Sequence, residues 1–121
     1  SWLGETEEVR ELLEKISAQI RRFLKLPVTL NFGPRYLHST GQLHKGGSNS
    51  GIFLQIVAEV QNNLSIPAHD YSFRDLHRAQ ADADLTVLSD LGRRVARITV
   101  DVNSTSGLAD LTTIFNHALS G

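Results

Sequence analysis

The chain has 121 residues, enough for one compact domain and too few for two. With 12 Lys and Arg against 13 Asp and Glu, its formal net charge is -1, without the basic excess of a nucleic-acid or membrane-surface protein. It has no cysteine, which excludes a disulfide framework and a thiolate metal site, and no apolar run near the roughly 20 residues that span a bilayer.

The first segment reads as a helix. Val9, Leu12, Leu13, Ile16, Ile20, Phe23 and Leu24 recur at spacings of three and four and form one stripe. Glu7, Glu8, Glu11 and Glu14 come early and Arg21, Arg22 and Lys25 late, an order that complements the helix dipole; Pro27 ends the run. Val28 to Phe32 (VTLNF) reads as a short strand, broken by Gly33-Pro34. From Arg35 to Gly51 the chain is polar and glycine-bearing, with a short helix expected from about Tyr36 to Leu43. Ile52 to Ala58 (IFLQIVA) suits a strand buried on both faces. Asn62 to Tyr71 is a loop. Ser72 N-caps a helix running to about Leu91, with Phe73, Leu76, Ala79, Ala83, Val87 and Leu91 as its apolar stripe, Leu88 flanking it, and Gly92 as its C-cap. Arg94 to Val102 forms a third strand, and Leu108 to Leu119 a last helix with Leu108, Leu111, Ile114, Phe115 and Leu119 inward. Alternating strands and helices predict an α/β fold with a small parallel sheet flanked by helices, whose edges call for another partner.

The chemistry concentrates in GPRYLHSTGQLHKGGSNSG, residues 33 to 51. It gathers two histidines, an arginine, a lysine, a glutamine, hydroxyls and five glycines after the expected first strand, and ligands in open parallel sheets bind beyond the strands' carboxyl ends. His38 can move a proton or open a sugar ring near neutrality, or it can simply cap structure. Arg35 and Lys45 suit a phosphate or a developing enediolate; the competing reading is solvated surface charge. Gln42 suits sugar hydroxyls or unpaired backbone groups. His38 and His44 are six apart, off a common helix face and without a carboxylate in the loop, which argues against a metal site. The segment lacks Walker A spacing and a GxSxG elbow, and His69, His77 and His117 read as surface residues.

The run Tyr36-Leu37-His38-Ser39-Thr40-Gly41-Gln42, followed by Gly46, resembles the LHSxGQ segment of bacterial glucose-6-phosphate isomerases. The longer GPRYLHSTGQLHKGG, with GIFLQI behind it and YSFRDLHRAQADADLTVLSDLGRRVARITV downstream, is similar to the isomerase part of bifunctional transaldolase/glucose-6-phosphate isomerase proteins, over about Val28 to Val102. The resemblance implies a three-layer sugar-isomerase (SIS)-like subdomain, here the C-terminal one, spanning residues 1 to 121 as a single domain. It implies interconversion of glucose 6-phosphate and fructose 6-phosphate through a cis-enediol with no cofactor. It also implies a phosphorylated sugar and the remaining subdomain as partners, with a homodimer possible through the sheet edge, in a cytoplasmic setting. The family's histidine falls on His38 as the catalytic residue, with Arg35, Ser39, Gln42 and Lys45 as substrate contacts. Two family elements are missing: the glycine-glutamate turn carrying the base, and the lysine of a C-terminal GVExxK element. No charged-then-apolar stretch opens the chain; its start at Ser1-Trp2 fits removal of an initiator before serine or excision from a longer protein, and the resemblance favours excision, so the chain alone is expected to be inactive. A non-catalytic sugar-phosphate-binding module and a structural fragment are the competing functions.

Overall fold

In the computed structural model, which describes residues 1–59 and 64–120, the elements follow one another as α1 (Glu7–Leu24), a 3-10 turn (Arg35–His38), α2 (Thr40–Gly46), β1 (Ile52–Glu59), α3 (Phe73–Asp90), β2 (Arg94–Asp101) and α4 (Gly107–Ala118). The fold is α/β. Its sheet has two parallel strands among the described residues, in register from Ile52 opposite Arg94 to Glu59 opposite Asp101.

Local chemistry sets most boundaries where the sequence predicts them. Thr6 caps α1 by accepting the Val9 N–H, and Lys25, at φ 55°, closes its last turn by donating to the Arg21 carbonyl. Ser72 and Asp75 form a reciprocal capping box at the start of α3, and Gly92 leaves its end at φ 68°. Part of the expected loop from Asn62 to Tyr71 lies outside the described residues.

The predicted strand Val28–Phe32 does not form. Those residues join no strand, and the place beside β1 is taken by the N-terminus. Trp2 donates its N–H to Ile56 O at 2.7 Å and bridges Val57 in parallel. Ser1 donates to Asn31 O at 2.5 Å and accepts from Gly33 N at 2.8 Å. The backbone of residues 31–33 therefore bonds to Ser1 rather than to β1. Trp2 fits because Gly33 lacks a side chain: a Cβ there would lie 2.6 Å from the indole.

Neighbouring residues on β1 face opposite ways and divide the interior into two compartments. On one side Ile56 and Val100 join Val9, Leu13 and Ile16 of α1, Leu111 and Phe115 of α4, and Leu3 and Phe32 in a continuous apolar core. On the other, Val57, Trp2 and Ala81 of α3 form a small cluster edged by Tyr36 and Leu37. Burial of β1 on both faces holds only at its centre, Gln55 to Val57; Ile52 and Leu54 are exposed.

Helix α3 turns the other way from its predicted stripe. Phe73, Leu76, Val87 and Leu91 are exposed, as are Ala79 and Ala83, while Ala81, Asp84 and Leu88 face inward. The reason is what the sheet offers beneath it. Gln55 rises from β1 to donate to the Ala81 carbonyl at 2.9 Å and to accept from Arg97 Nε at 2.7 Å, and Arg97 reaches Asp82 at 2.5 Å. That surface matches small and polar residues rather than large apolar ones. In α4, Leu111 and Phe115 are buried as expected, but Ile114 is exposed.

Candidate functional site

Residues 35–46 fold into two short helical pieces, where the sequence predicts one short helix from about Tyr36 to Leu43. The 3-10 turn and α2 meet closely at Gly41, whose absent Cβ would lie 2.9 Å from the Tyr36 carbonyl. Gly41 and Lys45, four apart, face inward, whereas Gln42 and Leu43 face solvent. Beyond α2 the chain is tied to the amino ends of the strands. Arg93 donates to the carbonyls of Lys45 and Gly47, Arg94 to that of Ser50 at 2.8 Å, and Asn49 to that of Gly92 at 3.1 Å. The segment thus leaves Gly33 level with the middle of β1 and returns to its start. It does not lie beyond the carboxyl ends of the sheet, because the strand expected to deliver it there is absent.

The five residues singled out from the sequence fall into two groups. Arg35, His38, Ser39 and Gln42 are exposed. Arg35 pairs with Glu5, which also holds Arg10. The Ser39 hydroxyl turns back toward the Tyr36 carbonyl at 3.4 Å. The His38 and Gln42 side chains make no hydrogen bond or ion pair among the described residues. Lys45 is different: its ammonium lies 3.1 Å from Asp84 Oδ1, with only 25% of the side chain exposed.

Asp84 is the residue that periodicity missed. Its side chain is 3% exposed, and its second oxygen accepts the Tyr36 hydroxyl in a short hydrogen bond. Burial, and then the bond to Asp84, raise the Tyr36 hydroxyl well above its usual range. Burial lowers His44 below the ordinary histidine value, with Asp84 opposing and Lys45 adding to the effect. The His44 ring lies 4.9 Å from that of Phe53 and 6.1 Å from that of Tyr36. The signal for Asp84 was its spacing, three after Ala81 and four before Leu88, on what proves to be the inward face.

A cavity of about 690 Å³ does open at the carboxyl end of β1. Trp2, Val57, Glu59, Phe73, His77 and Arg78 are among the residues around it; none of the five candidates is. Trp2 separates it from the segment, its ring 5.0 Å from that of His77 and 6.0 Å from that of Tyr36. Among the described residues no group of three or more His, Asp or Glu could hold a metal ion, and no helix is long and apolar enough to cross a membrane.

The arrangement offers an imidazole, an amide and a hydroxyl on an anchored surface, with a guanidinium beside them. Such a set can hold a polar ligand and exchange a proton with it. Among the described residues it supplies no free carboxylate base, since Glu5 and Asp84, the carboxylates paired with the segment there, are both engaged. No protein-family model, curated protein or solved structure matches the chain.

Proposed function

We propose that this chain is the C-terminal part of an aldose–ketose isomerase acting on glucose 6-phosphate and fructose 6-phosphate, of the kind fused to transaldolase. It is a sugar-isomerase (SIS)-like subdomain that contributes one wall of an active site completed by the rest of a longer protein. The observation that carries the reading is the run Arg35 to Lys45, which resembles the isomerase segment and presents His38, Ser39 and Gln42 to solvent from an anchored backbone.

On this reading His38 assists ring opening and proton movement, while Gln42 and Ser39 bind hydroxyls and Arg35 faces the phosphate. Lys45, turned to Asp84, acts behind the ligand rather than on it. The proton-abstracting carboxylate comes from outside this chain, so the chain by itself does not turn over. The apolar faces left open on α3 fit a subdomain that needs a neighbour.

The test compares the purified 121-residue chain with the longer protein that contains it, using a coupled assay for either sugar phosphate. The chain alone gives no turnover. In the longer protein His38→Ala lowers kcat by about 10² to 10⁴ and leaves KM within roughly threefold. Unchanged turnover in that variant refutes the assignment. A fall in ligand affinity, in a longer protein that has no isomerase activity, favours the binding-module alternative.

A further inference from the structure

The residues offered to solvent at 38, 39 and 42 all lie between two residues gripped from below, Tyr36 and Lys45. Both grips end on the same carboxylate, and that carboxylate belongs to α3. The other ties of the segment are the Arg35–Glu5 pair, the Thr40 hydroxyl on Asn31 Oδ1 and the Arg93 bond to the Lys45 carbonyl; Gly41 is its one buried residue, and only Tyr36 and Leu37 border the small apolar cluster. Asp84 in turn has a stake in the docking. A carboxylate so deeply buried is costly without partners; its hydrogen bond and its ion pair both come from the segment, and the Ser1 amine adds an attraction from outside it. Docking of the segment and burial of Asp84 are therefore one event.

We infer that Asp84 is a positioning residue, a latch on α3 that fixes the 3-10 turn and α2 through Tyr36 and Lys45 and so holds His38 and Gln42 in place. Its bearing on catalysis rests on the isomerase reading above; its bearing on the order of the segment does not. The latch also explains why Lys45, the one lysine in the segment, points inward: the carboxylate keeps its ammonium engaged. Asp84 touches no substrate in this scheme and acts only through the backbone it anchors.

Asp84→Asn is the variant of choice. Its amide still accepts from Tyr36 but presents no charge to Lys45. In the chain, amide hydrogen exchange across residues 35–46 is expected to accelerate at least about tenfold while β1 and β2 keep their protection. Lys45, released from its counter-charge, is free to swing toward solvent, and an amine-reactive reagent labels it faster than in the unaltered chain, with Lys15 and Lys25 as internal references. Tyr36→Phe removes the other grip and keeps the volume, so it gives the same local acceleration at smaller size and serves if the first variant does not fold. In the longer protein Asp84→Asn lowers kcat by about 10²-fold with KM within threefold, as expected of a misplaced group. Unchanged exchange in residues 35–46, or a loss spread evenly over the sheet in both variants, overturns the latch. The two proposals fail separately. A silent His38→Ala sinks the isomerase reading and leaves exchange to decide the latch. Full turnover in Asp84→Asn beside a dead His38→Ala refutes the positioning role and spares the reading.

Discussion

The two sides of the sheet are built on different principles. Between the sheet and the α1–α4 pair, Leu13, Ile16, Ile56, Val100, Leu111 and Phe115 exclude water with hardly a polar atom among them. Between the sheet and the α2–α3 pair, the apolar cluster is only Trp2, Val57 and Ala81, and the rest of the space is wired by Gln55, Asp84, Arg97 and Lys45. The first side derives its stability from area and shape. The second depends on each polar group finding its partner, and it is the side that carries the candidate segment. Rigid packing and adjustable chemistry are thus kept on opposite faces of one thin sheet.

Truncation separates the two sides most clearly. Leu111→Ala, at the centre of the apolar side, is expected to cost about 3 kcal/mol in chemical denaturation, within the range for a buried leucine. A loss below about 1 kcal/mol would mean that α4 does not seal that core. Gln55→Leu probes the polar side with nearly the same volume. It removes the acceptor of Arg97 Nε and a second donor to Ala81 O, which keeps its helical bond, and the orphaned Arg97 Nε should cost about 2 kcal/mol even though the new residue is more apolar. A neutral or stabilising result would show that the network is ornamental.

Acidification probes the polar side. Burial lowers the Ser1 amine to about 6 and brings His44 below its usual value, so the unfolded chain binds protons that the folded one refuses. Stability is then fully present above about pH 8 and falls as pH drops through 8 to 6, by about 2 kcal/mol for the amine, with His44 adding its share below 6.5. Asp82, held low chiefly by its hydrogen bond from Arg97, and Asp75, held low by Ser72, add a further loss only below the ordinary carboxylate value of 3.8. Denaturation midpoints at pH 8, 6.5 and 5 check the trend. Acetylating the Ser1 amine should flatten the upper part, and a flat profile in the unmodified chain would remove both groups from the polar side.

The smallest effect is expected on the outer face of α3. Phe73→Ser, at a position 57% exposed, and Val87→Thr should each change the stability of the isolated chain by no more than about 0.5 kcal/mol. A cost above about 2 kcal/mol would show that this stripe is packed after all and that the inward face has been misassigned.

What was legible in the sequence follows the same division. Helix α1, with its apolar period, acidic start and basic end, could be read where Val9, Leu13 and Ile16 are buried, although Phe23 and Leu24 of the same stripe are exposed in its last turn. The capping box of Ser72 and Asp75 and the turn at Gly92 were equally local, and so were equally visible. The facing of α3 was not. Its largest apolar residues suggested one stripe, but Gln55 and Arg97 had already made the sheet beneath it polar, a long-range fact no window of α3 contains. Likewise VTLNF has the residues of a strand and lost the neighbouring place to Ser1 and Trp2, some thirty positions away. Within the candidate segment the chemical types of Arg35, His38, Ser39, Gln42 and Lys45 could be listed from the sequence. That Lys45 turns away from the other four could not, since Asp84 decides it from α3.

Trp2 is the only tryptophan in the chain, and it sits where Tyr36, His77 and Gly33 converge. The indole is in effect a lamp wired into one room of a two-room building. Its emission will register whether the 3-10 turn is seated against it and whether anything enters the cavity beside His77. A scanning fluorimeter can therefore follow the chemically interesting face without any added dye.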